Sequence, residues 1–447
     1  MPEGVLSNLD LFLIFAYFVV LLIIGWRYSK RQSQEDFLIA ERKLGAFSTM
    51  MTINASKTGS ILMIFVALVY LWGFSAIWYF LGVVAGALLF IPFALRLRER
   101  SERYYTLADY FRHNYGRGAS YFASLLTIFG MVGFLIVNLI ASAKVFSFFT
   151  GWSFWLSSLI MVLIILCYLL LSGYKAVVAT DILQYFAIMF IMVLLSFLLF
   201  NGSLIPFSEW NLFSADIFSI LGFFIVGILI PFASPDLWQR VYSARGKKEL
   251  KKALIWSAII YGVVAFLLTL IALTVKSNFP LIDPDTALIY GFANLLPAGL
   301  VGLSVVLLFS AMMSSIDTYI FTASSAIIQD FFELSKEKTI KYMKVVIFLL
   351  SIFAFLVSIL IQDALIGTYI FIAFVMPLSV CVIASWINSR IKQRTILFGF
   401  IFGLVFSLGF MIKTLLEGNI EPSIVLVGIV GTIFGLLFGK IYNFIFN

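Results

Sequence analysis

The stretch Ser310-Ala-Met-Met-Ser-Ser-Ile-Asp-Thr318 lies inside an apolar run, yet it carries four hydroxyls and one carboxylate. At 3.6 residues per turn, Ser310, Ser314 and Asp317 with Thr318 stack on one helical face, and Ser315 lies beside them. A carboxylate at membrane depth costs about 2.5–3.5 kcal/mol on insertion scales unless something inside the protein compensates it. The hydroxyls either bond back to the preceding turn and hold helices together, or, with Asp317, they offer a small hard cation the oxygen ligands that suit it.

The surroundings of this stretch are those of a membrane protein. Of 447 residues, 62% are hydrophobic and 12% charged, against roughly 45–50% and 25% in globular domains. Apolar runs of about 20 residues recur along the chain, long enough to cross a bilayer as helices, and the alternation of a membrane barrel is absent. An all-α polytopic membrane protein is therefore expected. The net charge of +8 sits in short loops, which is the positive-inside pattern and not a nucleic-acid surface. Cys167 and Cys381 fall in apolar runs and His113 stands in a polar loop without a partner at ligand spacing, so neither disulfide nor metal centre is indicated. No nucleophile with a base and no paired general acid and base occur, so neither enzyme chemistry nor a cofactor is expected.

The apolar runs lie at about 9–26, 46–72, 75–95, 119–149, 153–171, 178–200, 216–240, 253–275, 298–331, 342–361, 364–387, 395–416 and 423–446, thirteen in all. Arg27, Lys30 and Arg31 close the first, and Arg96, Arg98, Arg100, Arg103, Arg112 and Arg117 follow the third. Both loops are expected in the cytoplasm, with Arg240, Arg245, Lys247, Lys248, Lys251 and Lys252 in a later one. The N-terminus is then outside and the C-terminus inside, in a plasma or inner membrane. Only Lys144, Lys276 and Lys413 fall on the outer side, and Lys57 falls within the membrane. The longest polar segments, 99–117 and 201–214, are too short to bury a core, so no soluble domain is expected.

Two runs look interrupted. Asn54-Ala-Ser-Lys-Thr-Gly-Ser60 breaks the second with polar and small residues, and Pro231 and Pro235 bracket Phe-Ala-Ser in the seventh, removing backbone donors. Interrupted helices five spans apart point to a transporter of inverted repeats with a site at the membrane midplane. Two unrelated kinks are the other reading.

Five separated stretches resemble one family, the sodium:solute symporters that include bacterial proline, sugar and sialic acid carriers. They are Asp36-Phe-Leu-Ile-Ala40 with Arg42 and Leu44-Gly45; Thr106-Leu-Ala-Asp-Tyr-Phe111 with Tyr115-Gly116; Ser172-Gly-Tyr-Lys-Ala-Val-Val-Ala-Thr-Asp-Ile-Leu-Gln184; Asp236-Leu-Trp-Gln-Arg240 with Ser243-Ala244; and 310–318 continuing to Ser324-Ser325 and Asp330. The resemblance implies a LeuT-like fold of two inverted five-helix repeats with one helix before and two after. It divides the chain into 1–45, the extra helix and its loop; 46–201, the first repeat; 202–387, the second repeat with an external loop; and 388–447, two further helices. It also implies alternating access with sodium as coupling ion. By the same resemblance the ion ligands are the carbonyls of Ala55, Thr58 and Ala311 and the hydroxyls of Ser314 and Ser315. A second cation site would fall among Asp181, Ser314, Asp317 and Thr318.

The departures from the family carry information too. Sugar carriers place polar side chains after the break of the second span, but here Ile61-Leu-Met-Ile64 follow Ser60, which argues against a sugar. Asp236 stands where sugar carriers have a gating tyrosine. It suits a solute amino group or, equally, a helix-end carboxylate paired with Arg240. Asn138 and Tyr369 are the other polar solute candidates, each also readable as interhelical contact. Asp181 is either an ion-release carboxylate or an N-cap. Lys57 puts an ammonium between Ala55 and Thr58, where the family has an acidic residue or a neutral amide. A buried ammonium needs a partner, and Asp317 or Asp181 across the cavity is the expected one, so that Lys57 competes with or replaces a sodium. A lysine pointing into an aqueous vestibule is the other reading.

The function expected is cation-coupled symport, with sodium as the ion, of a small organic solute, an amino acid or monocarboxylate. The alternatives are a proton-coupled or ion-independent carrier, and a membrane solute receptor that does not transport. The partners are the solute, the cation and the lipid bilayer, without nucleic acid.

Overall fold

The computed structural model describes residues 7–27, 33–100, 104–170, 173–200, 205–297, 300–388, 390–417 and 424–445. Lys30, Arg31, Arg103, Ser172 and the boundary at 201/202, all used in reading the sequence, lie outside the described residues. The described residues are mostly helical, since a chain this apolar can satisfy its backbone in lipid only within helices or a closed barrel. In chain order the helices are α1 (Asn8–Arg27), α2 (Gln34–Ile39), α3 (Ala46–Lys57), α4 (Ile61–Trp72), α5 (Ile77–Arg100) and α6 (Leu107–Thr150). There follow α7 (Phe154–Leu169), α8 (Tyr174–Phe200), α9 (Ile217–Leu229), α10 (Pro235–Ser243), α11 (Lys247–Asn278) and α12 (Ala287–Leu295). The last five are α13 (Val301–Phe331), α14 (Lys336–Ile361), α15 (Ala364–Ile387), α16 (Gln393–Glu417) and α17 (Ile424–Ile445).

Helix ends follow local capping chemistry. Thr106 and Asp109 form a capping box at the start of α6, and Asp216 and Asp363 cap α9 and α15. Gly116, at φ 79°, turns α6 sharply after its first turns, a conformation open to glycine and costly to side chains.

α13 is the axis of the molecule, buried over nearly its whole length and flanked by α1, α3, α6, α8 and α14. α16 and α17 pack on each other and against α15, away from α13. Asp10 of α1 accepts from the Gly302 amide at 2.8 Å, fixing the start of α13. α5 and α9 meet backbone to backbone, because Gly82 and Gly86 on α5 face Gly227 and its neighbours on α9 without a Cβ between them.

Both expected interruptions are present. α3 stops at Lys57, and Thr58-Gly59-Ser60 leads into α4. α9 ends in a single 3₁₀ turn, Ile230–Ala233, and resumes as α10 at a bend of 45°. Among the described residues, ten helical stretches are long and apolar enough to cross a membrane, and the bent α9–α10 pair makes eleven. The expected thirteen differs because α7 has only 16 residues and the 61–100 stretch, α4 through α5, runs as one apolar unit.

The close approach of α5 and α9 yields a prediction. A Cβ at Gly82 would lie 3.1 Å from the Gly227 Cα, so Gly82→Leu should cost about 1–3 kcal/mol or more by overpacking. A thermal melt in detergent should show this, while Gly409→Ala, with nothing within 4 Å of the added carbon, should melt like the parent.

Candidate functional site

A helix that stops inside a membrane leaves its last carbonyls short of amide partners; at the end of α3 the Thr58 amide reaches the Asn54 and Ala55 carbonyls, and α13 supplies further donors. Ser314 Oγ donates to the Ala55 carbonyl at 2.9 Å and to its own Ala311 carbonyl at 2.8 Å. Thr58 Oγ1 also reaches the Ala55 carbonyl, at 3.0 Å, and that of Asn54 at 2.9 Å. Ser315 Oγ donates to the Ser56 carbonyl at 3.0 Å, joined there by Tyr319 Oη at 3.2 Å. Ala55, Ala311 and Ser314 of the expected ion ligands thus converge on one point. Thr58 enters by its hydroxyl, and Ser315 sits one carbonyl further along α3. Ser310, Ala311, Ser314, Ser315 and Asp317 are fully buried.

Gly59 makes this approach possible. A Cβ there would collide with the Ser315 side chain and with Asn138 Oδ1. Asn138 is used structurally: its Oδ1 accepts from the Ser60 amide at 2.7 Å, capping the start of α4, and its Nδ2 donates to the Phe134 carbonyl at 2.8 Å.

Next to this cluster lies Arg240, fully buried on α10, and not in a cytoplasmic loop as its place in the sequence had suggested. Its Nη2 donates to Thr318 Oγ1 at 2.9 Å and Thr52 Oγ1 at 3.0 Å, and lies 3.4 Å from Asp181 Oδ2. Its Nε reaches the Thr52 carbonyl at 3.3 Å and its Nη1 the Asp236 carbonyl at 3.1 Å. Asp181 also accepts from Thr52 Oγ1. In this structure the cation beside Asp181 and Thr318 is therefore the guanidinium. Asp181 stands two turns inside α8, whose first turn is closed on the Gly173 carbonyl, so the N-cap reading is corrected. The i, i+4 spacing of Asp236 and Arg240 beside two prolines was the available signal for a buried arginine.

Lys57 is paired differently from the expectation. Its Nζ lies 3.1 and 3.2 Å from the two oxygens of Asp236 and donates to Ser234 Oγ at 2.9 Å. The partner is thus neither Asp317 nor Asp181, because the ends of the two interrupted spans face each other directly across the cavity. The expected side-chain pair of Asp236 with Arg240 is corrected by the same contact: Arg240 holds only the Asp236 carbonyl. Both Lys57 and Asp236 line a cavity of about 120 Å³, with Asn138, Ser234, Tyr261 and Tyr319 and an otherwise mainly apolar wall. A second space of about 380 Å³ shares Ile61, Ile64, Tyr79, Thr368 and Ile372 with it and extends past Tyr369 to Trp72 and Asp216. Tyr369 belongs to this outer space and not to the central cavity.

Arg240 gives a prediction of its own. Arg240→Met leaves a buried carboxylate uncompensated and should destabilise by about 3–5 kcal/mol. Adding Asp181→Asn should recover a measurable part in a double-mutant melting cycle; strictly additive losses would show the pair to be uncoupled.

Residues 37–204 match the sodium:solute symporter family. Sodium/proline symporter 2 of Staphylococcus saprophyticus is 27% identical over 350 residues, covering 72% of this chain and 68% of that protein. The sodium/proline symporter of Staphylococcus aureus is 25% identical over 354 residues, with the same coverage of 72% and 68%. Among solved structures, a Na+-coupled sialic acid symporter in a substrate-bound outward-open state shares the fold at a TM-score of 0.82, over 97% of this chain and 98% of that one, at 18% identity. A nucleobase-cation-symport-1 family transporter, closed on bromovinylhydantoin, matches at 0.60 over 92% and 94%, at 13% identity. These relatives are transporters and not enzymes. Motifs, the family match over residues 37–204 and a LeuT-like architecture agree in likening the chain to the sodium:solute symporter family.

Proposed function

We propose that this protein is a secondary active symporter that couples the inward movement of a small organic solute to sodium by alternating access. The observation that carries the reading is the junction of α3 with α13, where Ser314 Oγ bridges the carbonyls of Ala55 and Ala311. Carbonyl and hydroxyl oxygens are the donor set for a hard monovalent cation, and a rotation of each hydroxyl turns its lone pair toward the point its proton now faces. Ala55, Thr58, Ala311, Ser314 and Ser315 are the ligands in this reading. Lys57 is engaged with Asp236 on the cavity side, which favours sodium coupling over a lysine standing in for the ion. Asp317 and Thr318 support the site from the same helix, and Arg240 holds the neighbouring charge of Asp181.

Thirteen spans result if α7 counts as a span and α3–α4 is separated from α5. The basic loops support an N-terminus outside and a C-terminus in the cytoplasm of a plasma-membrane protein, since they also meet in space. Arg98 Nε donates to the Ala244 carbonyl at 2.7 Å, Arg42 Nη2 to that of Tyr104 at 3.0 Å, and Lys247 pairs with Glu99. That face is tied shut, whereas the cavity continues toward Trp72 and Asp216, which supports an outward-facing state. Two inverted repeats, 46–201 and 202–387, fit the placement of the two breaks. Proline, the solute named for the Staphylococcus relatives, is the first probe.

The test is uptake into proteoliposomes under a sodium or a choline gradient. A ligand to a charged group contributes about 1.5–3 kcal/mol, so Ser314→Ala and Ser315→Ala should each raise the sodium concentration for half-maximal uptake by about tenfold or more. Unchanged sodium dependence in both variants would reject the ion site, and uptake indifferent to sodium in the parent would reject the coupling.

A further inference from the structure

We infer, on the symport reading above, that the solute is a zwitterion with a short or apolar side chain, and that Lys57 takes its carboxylate and Asp236 its ammonium.

The two charges belong to different interrupted spans yet meet at 3.1 and 3.2 Å in the wall of one cavity. Each stands at a half-helix end whose dipole favours it. Lys57 is the last residue of α3, where the partial charge is negative, and Asp236 lies in the first turn of α10, where it is positive. Each charge therefore keeps some stabilisation when the other moves away, which a purely structural pair does not require. Their remaining side-chain partners are hydroxyls, Ser234 for Lys57 and Ser56, at 3.5 Å, for Asp236.

Of the other polar groups of the wall, three are committed, while Asn54 Nδ2 and Ser257 Oγ have no hydrogen-bond partner. Asn138 spends its oxygen on the Ser60 amide and its nitrogen on the Phe134 carbonyl. Tyr261 Oη donates to the Lys57 carbonyl at 3.3 Å and Tyr319 Oη to that of Ser56. The charged groups offered to a solute are those of the ion pair, with Asn54 and Ser257 as further neutral polar groups, and the rest of the solute meets apolar surface from residues such as Ile53, Ile61, Phe134 and Ile372.

Charge balance then selects the solute class. A zwitterion inserted into the pair gives four alternating charges, with no net change and every charge still matched. A monocarboxylate drawn to Lys57 would part it from Asp236 and leave a buried carboxylate without its counter-ion, and an amine would do the reverse to Lys57; an unpaired buried charge is the costly outcome.

The experiment uses the purified wild-type chain, so that it does not depend on variants that fail to fold. Melting temperature is followed in sodium and in choline chloride with L-proline and the other neutral amino acids, and with analogues of proline that lack one charge: cyclopentanecarboxylate, pyrrolidine and N-acetylproline. At least one neutral amino acid should stabilise the protein in sodium, and the matching one-charge analogues should be weaker by about tenfold or more, because each leaves a buried charge unpaired. Lys57→Met and Asp236→Asn should each abolish the response to that amino acid, while a merely structural pair would lower both melting temperatures and leave the response intact. The inference is overturned if a carboxylate without an ammonium stabilises as well as its amino acid, or if no neutral amino acid stabilises in either salt. Stabilisation by a carboxylate in sodium alone would leave symport standing. Stabilisation by amino acids regardless of sodium would uphold the zwitterion and count against sodium coupling instead.

Discussion

The interaction on which the rest depends is the satisfaction of α3's last carbonyls by hydroxyls of α13. An unsatisfied backbone carbonyl in hydrocarbon costs several kcal/mol, so the end of α3 at Lys57 draws on donors from Thr58 and from a neighbouring helix. Ser314, Ser315 and Tyr319 are the neighbour's donors, to Ala55 and Ser56. The requirement explains the hydroxyl-rich stretch in an otherwise apolar helix, the missing side chain at Gly59, and the burial of α13 on all sides. In the proposed reading it also supplies the ion site, since oxygens gathered to satisfy a broken helix are of the kind that coordinate a hard cation.

The buried charges obey the same economy of partners. Arg240 with Asp181 and Lys57 with Asp236 are two neutral pairs, each spanning different helices. The first is shut off from solvent, with its guanidinium held by five bonds to Thr52, Thr318, Asp181 and the Asp236 carbonyl, and so serves the packing of α10 against α3, α8 and α13. The second opens on the cavity, where exchange with a solute's charges is geometrically available. A single short helix, α10, carries one member of each pair, Asp236 and Arg240.

Much of this was legible in the residues. Interruptions at 54–60 and 231–235 were readable because proline, glycine and clustered polar residues have few other uses inside an apolar run, and the resemblance to the symporters named Ala55, Ala311 and Ser314 as neighbours. The partners of the charged side chains were not legible. Lys57 was set against Asp317 because both were assigned to one cavity, but which carboxylate an ammonium meets depends on the rotation and bend of α9–α10, a tertiary quantity. Arg240 was counted with loop residues because a basic side chain near a helix end reads as a membrane-face anchor until its buried partners are known. The span count was blurred by α7, which is short, and by α4 and α5, whose apolar character runs on through the turn at Gly73–Ala76.

The most direct measurement is a high-resolution structure of the protein in sodium compared with one in choline. Difference density should lie among the Ala55 and Ala311 carbonyls and the Thr58, Ser314 and Ser315 hydroxyls, with the Lys57–Asp236 pair undisturbed. Identical maps in the two salts, or density only beside Asp317 and away from the end of α3, would contradict the account.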